Sequence, residues 1–289
     1  MNLELVTVIV VTYNSAHCIE RLSCGLSMMP YIMVMDNGSQ DNSIALCQRF
    51  LPQARIEALG QNLGFGAANN RALLLASTPY ALLLNPDCEI SAAAIDELLH
   101  IAQNQPDAAI CVPQIVNKRG KPISNYGWVK HLWQSKSAIV DGLCCVGYAS
   151  GAVMLLNLAV TRPLGFFDER FFLYYEDVDL CFKYFNARLS IIVAPHIKVF
   201  HVSRGSVKTK NVIKQEFWRG YHHAQSRIFI TEKYQTADIA QRLRWTKICT
   251  GILHSLLRLL TLSPRMCARM FGRVIGLCLY TSYLPKNLE

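Results

Sequence analysis

Over the first hundred residues, polar and apolar positions switch between a strand period and a helix period. Val6–Val11 is an unbroken, mostly β-branched run, the pattern of a strand buried on both faces. Ser15 then supplies an N-cap for a helix through Leu26. Ile32–Met35 reads as a second strand, closed by the turn signal Asp36-Asn37-Gly38-Ser39. A helix over Ser43–Phe50, a short strand at Arg55–Ala58, a helix over Ala67–Ala76, a buried strand at Ala81–Leu84 and a helix over Ser91–Asn104 follow. This βαβαβαβ rhythm predicts an α/β fold, a mostly parallel Rossmann-like sheet flanked by helices. Ligands of such sheets bind at the carboxyl ends of the strands. Three polar clusters fall there: Thr12-Tyr13-Asn14, Asp36-Asn37 and Asn85-Pro86-Asp87.

The second half is less regular. Residues 118–142 mix Trp, Tyr, Lys and Gly without a period, and order resumes at Gly147–Leu156. Glu176–Ala187 is a predicted helix with acids crowding its first turn, and Ser190–Ala194 and Lys198–His201 are predicted short strands. Beyond Ser203 the chain reads as helical and basic, with Pro264 dividing it. The expected division is an α/β domain over residues 1–205 and a basic helical C-terminal extension over residues 206–289.

Composition supports a packed protein: 52% of the 289 residues are apolar and 17% charged. The net charge of +9 is unevenly placed, for residues 204–289 hold fifteen Lys/Arg against four Asp/Glu, and the rest of the chain is slightly acidic. That split excludes a nucleic-acid-binding catalytic face and points to a separate surface for an anionic partner. Eleven cysteines form no CxxC pair, and no secretory leader is visible. The expectation is reduced thiols in a cytoplasmic protein, with zinc binding a minor alternative. Leu143–Val160 and Ile248–Leu262 are too short or too broken to span the roughly 30 Å of a bilayer core.

The candidate chemistry sits in four places. Asp36 can accept a hydrogen bond from a nucleobase imide, with Thr12 and Asn14 framing base or ribose; these residues serve equally as turn and cap residues. Gln61-Asn62-Leu63-Gly64-Phe65-Gly66 is a glycine loop ahead of a helix, open to phosphate or ribose. It is no GxGxxG, and no Walker sequence occurs. Asp87 either helps hold a divalent metal against a diphosphate or caps backbone ahead of the next helix. In Phe171-Phe172-Leu173-Tyr174-Tyr175-Glu176-Asp177-Val178-Asp179-Leu180, three carboxylates open a helix whose N-terminus favours the anion, as a base must be. Only one of Glu176 and Asp177 can face a reacting centre, and helix capping is the alternative for all three. His201, 24 residues after Asp177, can complete a metal site with Asp87 or be structural.

Taken in order, Val10–Ser15, Asp36–Ser39, Asn62–Gly66 with Asn69-Asn70, Leu84–Asp87, Ser150–Ala152, Gly165–Glu169, Phe171–Leu180 and His201 resemble the family 2 glycosyltransferases of the GT-A fold, especially bacterial rhamnosyltransferase-like members. The resemblance covers roughly residues 5–205. It implies an inverting transfer from a nucleotide sugar, dTDP- or UDP-linked, with dTDP-rhamnose the first choice. Asp177 is implied as catalytic base. Thr12, Tyr13, Asn14, Asp36, Asn37, Asn62, Gly64, Asn69, Asn85 and Asp87 are implied around the donor. Asp87 and His201 are implied as ligands of Mg²⁺ or Mn²⁺, and Glu176, Gly151 and Trp128 lie toward the acceptor or support the base. The family's DxD reads Asn85-Pro86-Asp87 here, so the first acid is replaced. Arg71 follows the paired asparagines where small residues are usual. The alternatives are the same fold with a UDP-sugar, or a catalytically silent sugar-nucleotide-binding subunit.

Aromatic residues between Asn125 and Trp133 are expected to line an acceptor cleft or to pack in the core. Arg242, Arg244, Lys247, Arg258, Arg265, Arg269 and Arg273 lie among apolar residues in helical stretches. Such helices suit an anionic membrane surface, the inner face of the plasma membrane, and a polyprenyl-linked glycan acceptor; the alternative is a helical cap on the catalytic domain with a solvated basic face.

Overall fold

A computed structural model describes residues 1–128, 139–202, 205–209, 211–260 and 262–282. Its opening alternation follows the sequence pattern: β1 (Val6–Thr12), α1 (Ala16–Leu26), β2 (Tyr31–Asp36), α2 (Ser43–Phe50), β3 (Arg55–Ala58), α3 (Phe65–Leu75) and β4 (Tyr80–Leu84). Then come β5 (Cys88–Glu89), α4 (Ala92–Gln103), β6 (Ala108–Val116), β7 (Tyr126–Gly127), β8 (Cys144–Cys145), β9 (Tyr148–Ala149), β10 (Val153–Asn157), α5 (Leu158–Thr161), α6 (Glu176–Asn186) and β11 (Ser190–His201). Three helices close the chain: α7 (Val212–Tyr234), α8 (Ala237–Leu260) and α9 (Pro264–Cys278). The chain divides into two compact units, Met1–Asp168 with Asp177–Lys208, and Glu169–Glu176 with Thr209–Glu289.

In the first unit the sheet runs β3-β2-β1-β4-β10-β6-β11-β5, with β8 pairing β11. β1, β2, β3 and β4 are mutually parallel, so the carboxyl ends of β1, β2 and β4 lie on one edge. β10 runs antiparallel between β4 and β6, with Val153 opposite Leu84 and Asn157 opposite Tyr80. Its beginning therefore lies at the edge where β4 ends. Val8, Val10, Leu82, Leu84, Val153 and Leu155 from these strands share a core with Ile19, Leu22 and Leu26 of α1 and with Leu98 and Leu99 of α4. Each such side chain contributes about 1.5–3 kcal/mol on burial.

Two departures from the sequence pattern have a physical cause. The predicted strands at Ser190–Ala194 and Lys198–His201 are one strand, β11, whose parallel register against β6 slips between Ala194 and Lys198. Pro195 inside that slip has no N–H to give the ladder. β6 was not foreseen, because Pro113 and Gln114 interrupt its apolar run. All nine of its residues are buried, and Gln114 is satisfied there by donating to Ile123 O at 2.7 Å and accepting from Tyr126 Oη at 3.0 Å.

In the second unit α7 and α9 meet backbone to backbone. A Cβ on Gly220 would lie 2.1 Å from Arg269 O, and one on Gly272 would lie 2.1 Å from Phe217 O, so only glycine fits either position. Asn211 caps α7 by accepting from Lys214 N at 2.9 Å, and Pro264 occupies the first turn of α9. The segment Glu169–Glu176 lies on α7, where Ser226 Oγ donates to Leu173 O at 2.9 Å and the Phe171 and Phe229 rings sit 4.6 Å apart. Among the described residues, no helix is long and apolar enough to cross a membrane.

Candidate active site

The ends of β1 and β2 build a polar floor. Thr12 stands opposite Asp36 in the ladder, and its hydroxyl donates to Asp36 Oδ1 at 2.8 Å. Asp36 Oδ2 accepts from Ser39 N at 2.9 Å. Each oxygen thus keeps acceptor capacity, although Asp36 is buried. Gly38, at φ 81°, turns the chain back so tightly that a Cβ would meet the backbone of Gln61 at 2.9 Å. Asn37 fastens the glycine loop: its Nδ2 donates to Asn62 Oδ1 at 2.9 Å and Gly64 O at 3.1 Å, and its Oδ1 accepts from Leu63 N at 2.8 Å. Asn14 adopts a left-handed φ of 52°, which asparagine tolerates, and ties to Ser39 Oγ and Gln40 N. Tyr13 is half-buried, and its N–H donates to Ser15 Oγ at 3.1 Å.

The β4 end carries the second carboxylate. Asn85 N donates to Ala152 O at 2.9 Å, and Cys88 N donates to Asn85 O at 3.0 Å, closing a turn that buries Asp87. Asp87 Oδ2 lies 3.4 Å from His201 Nε2 and accepts from Gly205 N at 2.9 Å. His201 stands opposite Cys88 in the β5–β11 ladder, which delivers the imidazole to this place. Asp87 Oδ1 is buried with no hydrogen-bond partner among the described residues. An orphaned carboxylate oxygen beside an imidazole fits a divalent cation, for which burying it otherwise costs about 1–3 kcal/mol. Cys88 lies in the same cluster, but burial first, and Asp87 second, push its thiol well above its ordinary value, so it stays protonated.

The third carboxylate, Asp177, is set by Gly151 and the start of α6. Its Oδ2 accepts from Gly151 N and its Oδ1 from Val178 N, both at 2.9 Å. Burial raises its pKa above the ordinary carboxylate value, opposed by those two hydrogen bonds. A carboxylate so raised is a better proton acceptor near neutral pH.

Thr12, Asp36, Asn37, Asn62 and Gly64 thus form one network, Asp87 and His201 a second, and Asp177 and Gly151 a third. Asn69 is buried and donates to Phe65 O of its own helix at 2.9 Å. Glu176 is buried at the start of α6, and Trp128 follows β7 as an exposed ring. Trp133 lies outside the described residues. The sequence places Ser39 and Ala152 within motifs but gives them no role, and it passes over Gly205, since each acts through a backbone group or a turn hydroxyl. Asn70 clamps the Phe167 backbone from both sides, donating to its O at 3.0 Å and accepting from its N at 2.9 Å.

A sheet of this order, with carboxylates gathered along one edge of β1, β2 and β4, is the architecture of the GT-A glycosyltransferases. The chain belongs to glycosyl transferase family 2, whose pattern matches residues 7–160. It is 26% identical over 278 residues to the N-acetylglucosaminyl-diphospho-decaprenol L-rhamnosyltransferase of Mycobacterium tuberculosis, covering 84% of this chain and 89% of that one. It is 27% identical over 192 residues to the low-salt glycan biosynthesis hexosyltransferase Agl10 of Haloferax volcanii, covering 63% and 62%. In fold it is similar to the mannosyltransferase PcManGT of Pyrobaculum calidifontis in complex with GDP-Man and Mn²⁺, with a TM-score of 0.58, 15% identity and coverage of 95% and 87%. It is also similar in fold to GalNAc-T7 with UDP, GalNAc and Mn²⁺, with a TM-score of 0.56, 12% identity and coverage of 77% and 50%.

Proposed function

We propose that this protein transfers rhamnose from dTDP-rhamnose, with inversion, to a hydroxyl of a glycan carried on a polyprenyl diphosphate. The observation that carries the reading is the dipeptide Gly151-Ala152. Gly151 N–H holds Asp177, and Ala152 C=O holds Asn85 N–H two residues before Asp87, so one backbone step links the base to the diphosphate site. A silent binding subunit has no use for such a base. The similarity to a mycobacterial rhamnosyltransferase acting on a diphospho-decaprenol acceptor supports the donor and acceptor classes.

In this reading Asp36 accepts the imide N–H of the pyrimidine, and Thr12, Tyr13 and Asn14 line the nucleoside. Asn37, Asn62 and Gly64 hold the loop that follows the ribose and diphosphate, with Asn69 and Asn85 behind it. Asp87 and His201 would hold a divalent metal, Mg²⁺ or Mn²⁺, which would supply positive charge for a departing diphosphate. Asp177 takes the proton of the acceptor hydroxyl as that oxygen bonds to the anomeric carbon. The bond from that carbon to the diphosphate oxygen breaks on the opposite face, and the nucleoside diphosphate leaves. Gly151 and Glu176 support the base, and Trp128 stacks on the acceptor.

Residues 1–205 carry this chemistry in our reading, and residues 206–289 bring the enzyme to the inner face of the plasma membrane. Ile252, Leu253, Leu256 and Leu257 leave 49%, 58%, 56% and 48% of their surface exposed along α8, with Lys247 and Arg258 nearby in sequence. Apolar residues beside basic ones suit an anionic lipid surface. The test is nucleotide release from dTDP-rhamnose and from a panel of UDP-sugars, with a polyprenyl diphosphate-linked acceptor present or absent. Acceptor-dependent release from dTDP-rhamnose is the expected result. A preference for a UDP-sugar overturns the donor, and no release from any donor overturns the transfer itself.

A further inference from the structure

The second unit concentrates cationic and aromatic groups where α7 and α9 meet. Arg269 and Arg273 stand one turn apart on α9, His223 and Arg227 one turn apart on α7, and Lys247 of α8 adds to the same positive field. Arg269 pairs with Glu216, which Arg219 shares at 3.1 Å. Arg273 has no ion pair among the described residues, and the Nε atoms of both Arg269 and Arg273 are buried there without a hydrogen bond. Buried guanidinium donors are ordinarily paired, because an unpaired one forfeits its hydration without return.

The segment leading to α6 completes the group. Tyr174 and Tyr175 both hold left-handed φ values, 72° and 67°, a conformation that costs non-glycine residues about 1–2 kcal/mol each. The His223 ring meets Tyr174 at 5.5 Å and Tyr175 at 5.2 Å, edge-on, and its Nε2 lies 3.3 Å from Tyr175 Oη. Burial, then Arg273, Arg227 and Arg269, push the His223 pKa down to about 4, so the ring is neutral at pH 7 and adds hydrogen bonding without charge. Burial and Arg269 likewise lower the pKa of Arg273. Repulsion among cations that a protein retains, with donors left open, is the condition a bound anion relieves.

We propose that Arg269 and Arg273, with Lys247 adding to their field, form an anion site that takes the diphosphate of the lipid-linked acceptor. Arginine forks match phosphate oxygens two at a time, and the open Nε donors of Arg269 and Arg273 have no other acceptor among the described residues. The inference deepens the proposed function and rests on its diphosphate-linked acceptor. In sequence, Tyr175 is two residues before the proposed base, Asp177.

The experiment floats the full-length wild type and Arg273→Gln, without sugar donor and with dTDP filling the donor site, on three kinds of vesicle. These are phosphatidylcholine alone, phosphatidylcholine with a prenyl diphosphate, and phosphatidylcholine with phosphatidylglycerol; inorganic pyrophosphate is titrated in parallel. The variant is expected to lose about tenfold in affinity for prenyl diphosphate vesicles and for pyrophosphate, and to bind phosphatidylglycerol vesicles as the wild type does. Equal affinity for prenyl diphosphate overturns the proposal. So does an equal loss on phosphatidylglycerol, which makes the site a general lipid contact, or a loss on vesicles with none for pyrophosphate. Without ligand, Arg273→Gln should melt no lower than the wild type, since it relieves repulsion. If it melts lower, Lys247→Gln is read instead, with about a threefold loss expected and unchanged affinity overturning the site. A wild type that binds prenyl diphosphate but transfers nothing sinks only the transfer reading. One that transfers while the variant binds normally sinks only the anion site.

Discussion

Gly151 N–H donates to Asp177 Oδ2 at 2.9 Å, and no residue larger than glycine can stand there without pressing on the carboxylate it holds. A Cβ at position 151 would lie 3.3 Å from Asp177 Cβ and 3.2 Å from Phe65 Cε1. Gly151→Ala should therefore displace the base by a few tenths of an ångström rather than unfold the protein. We expect about 1 kcal/mol of lost stability. The turnover number should fall about tenfold, because misplacing a reacting group is costly even at small distances. Donor KM should hold. Steady-state kinetics beside a thermal melt check this, and an equal loss in KM and stability would instead mean general damage to the fold.

Asp177→Asn should lower turnover by about 10²–10⁴-fold while donor affinity stays within twofold, as expected for removal of a general base. The pH dependence carries a sign. Burial raises the folded-state pKa above the unfolded one, so ionising Asp177 costs stability. That cost is absent below the ordinary carboxylate value and grows as pH rises through the interval up to the folded value. The Asn variant, whose amide can accept from only one of Gly151 N and Val178 N, should start below the wild type at acid pH and gain on it as pH rises through that interval. Wild-type kcat/KM should lose activity on the acid side at a pH above the ordinary carboxylate range.

Much of this was legible in the sequence, where side-chain type and period state the physics directly. The β-branched run of β1, the Asp36–Ser39 turn and the acids opening α6 each appear where period and turn chemistry put them. Direction was not legible: Val153–Leu156 announces a buried strand, but nothing in it says that β10 enters antiparallel beside β4. Nor was the division of labour within Asn69-Asn70, two identical amides. One turns onto Phe65 O and the other clamps Phe167 from a distance of 97 residues, which only tertiary packing decides. The arginine group on α7 and α9 was legible as basic helix, but not as a cluster, since its members come together only because Gly220 and Gly272 let the two backbones touch.

Asp87→Ala removes the orphaned oxygen and leaves His201 alone. Donor binding in the wild type should strengthen when Mn²⁺ is added and weaken when it is chelated, and the variant should show neither response. His201→Ala should weaken apparent metal affinity by about 10–100-fold, as loss of a ligand or its close support typically does. Calorimetric titration of dTDP with and without Mn²⁺ reads both. Donor binding that ignores the metal in the wild type would remove the cation from the mechanism. Because Asp87 Oδ2 accepts from Gly205 N, the Asp87→Asn variant separates charge from geometry. It can keep that bond while losing the charge, and it should resemble Asp87→Ala in metal response but melt nearer the wild type.

The exposed apolar face of α8 gives the last test. Ile252, Leu253, Leu256 and Leu257 recur at one- and four-residue steps, which places them on one side of the helix, and all are about half exposed. Replacing Leu253 and Leu257 by Gln removes apolar surface that is already in water, so stability should change by no more than about 0.5 kcal/mol. Binding to phosphatidylglycerol vesicles should fall by at least about tenfold, since each leucine side chain buried in lipid is worth about 1.5–3 kcal/mol. Raising the salt concentration should weaken the wild type further, through screening of Arg258 and Arg265. Transfer to a lipid-linked acceptor in vesicles should drop with binding, while transfer to a short-chain acceptor free in solution stays the same. If the double variant floats as well as the wild type, α8 is a solvated face, and the protein meets its acceptor without this helix.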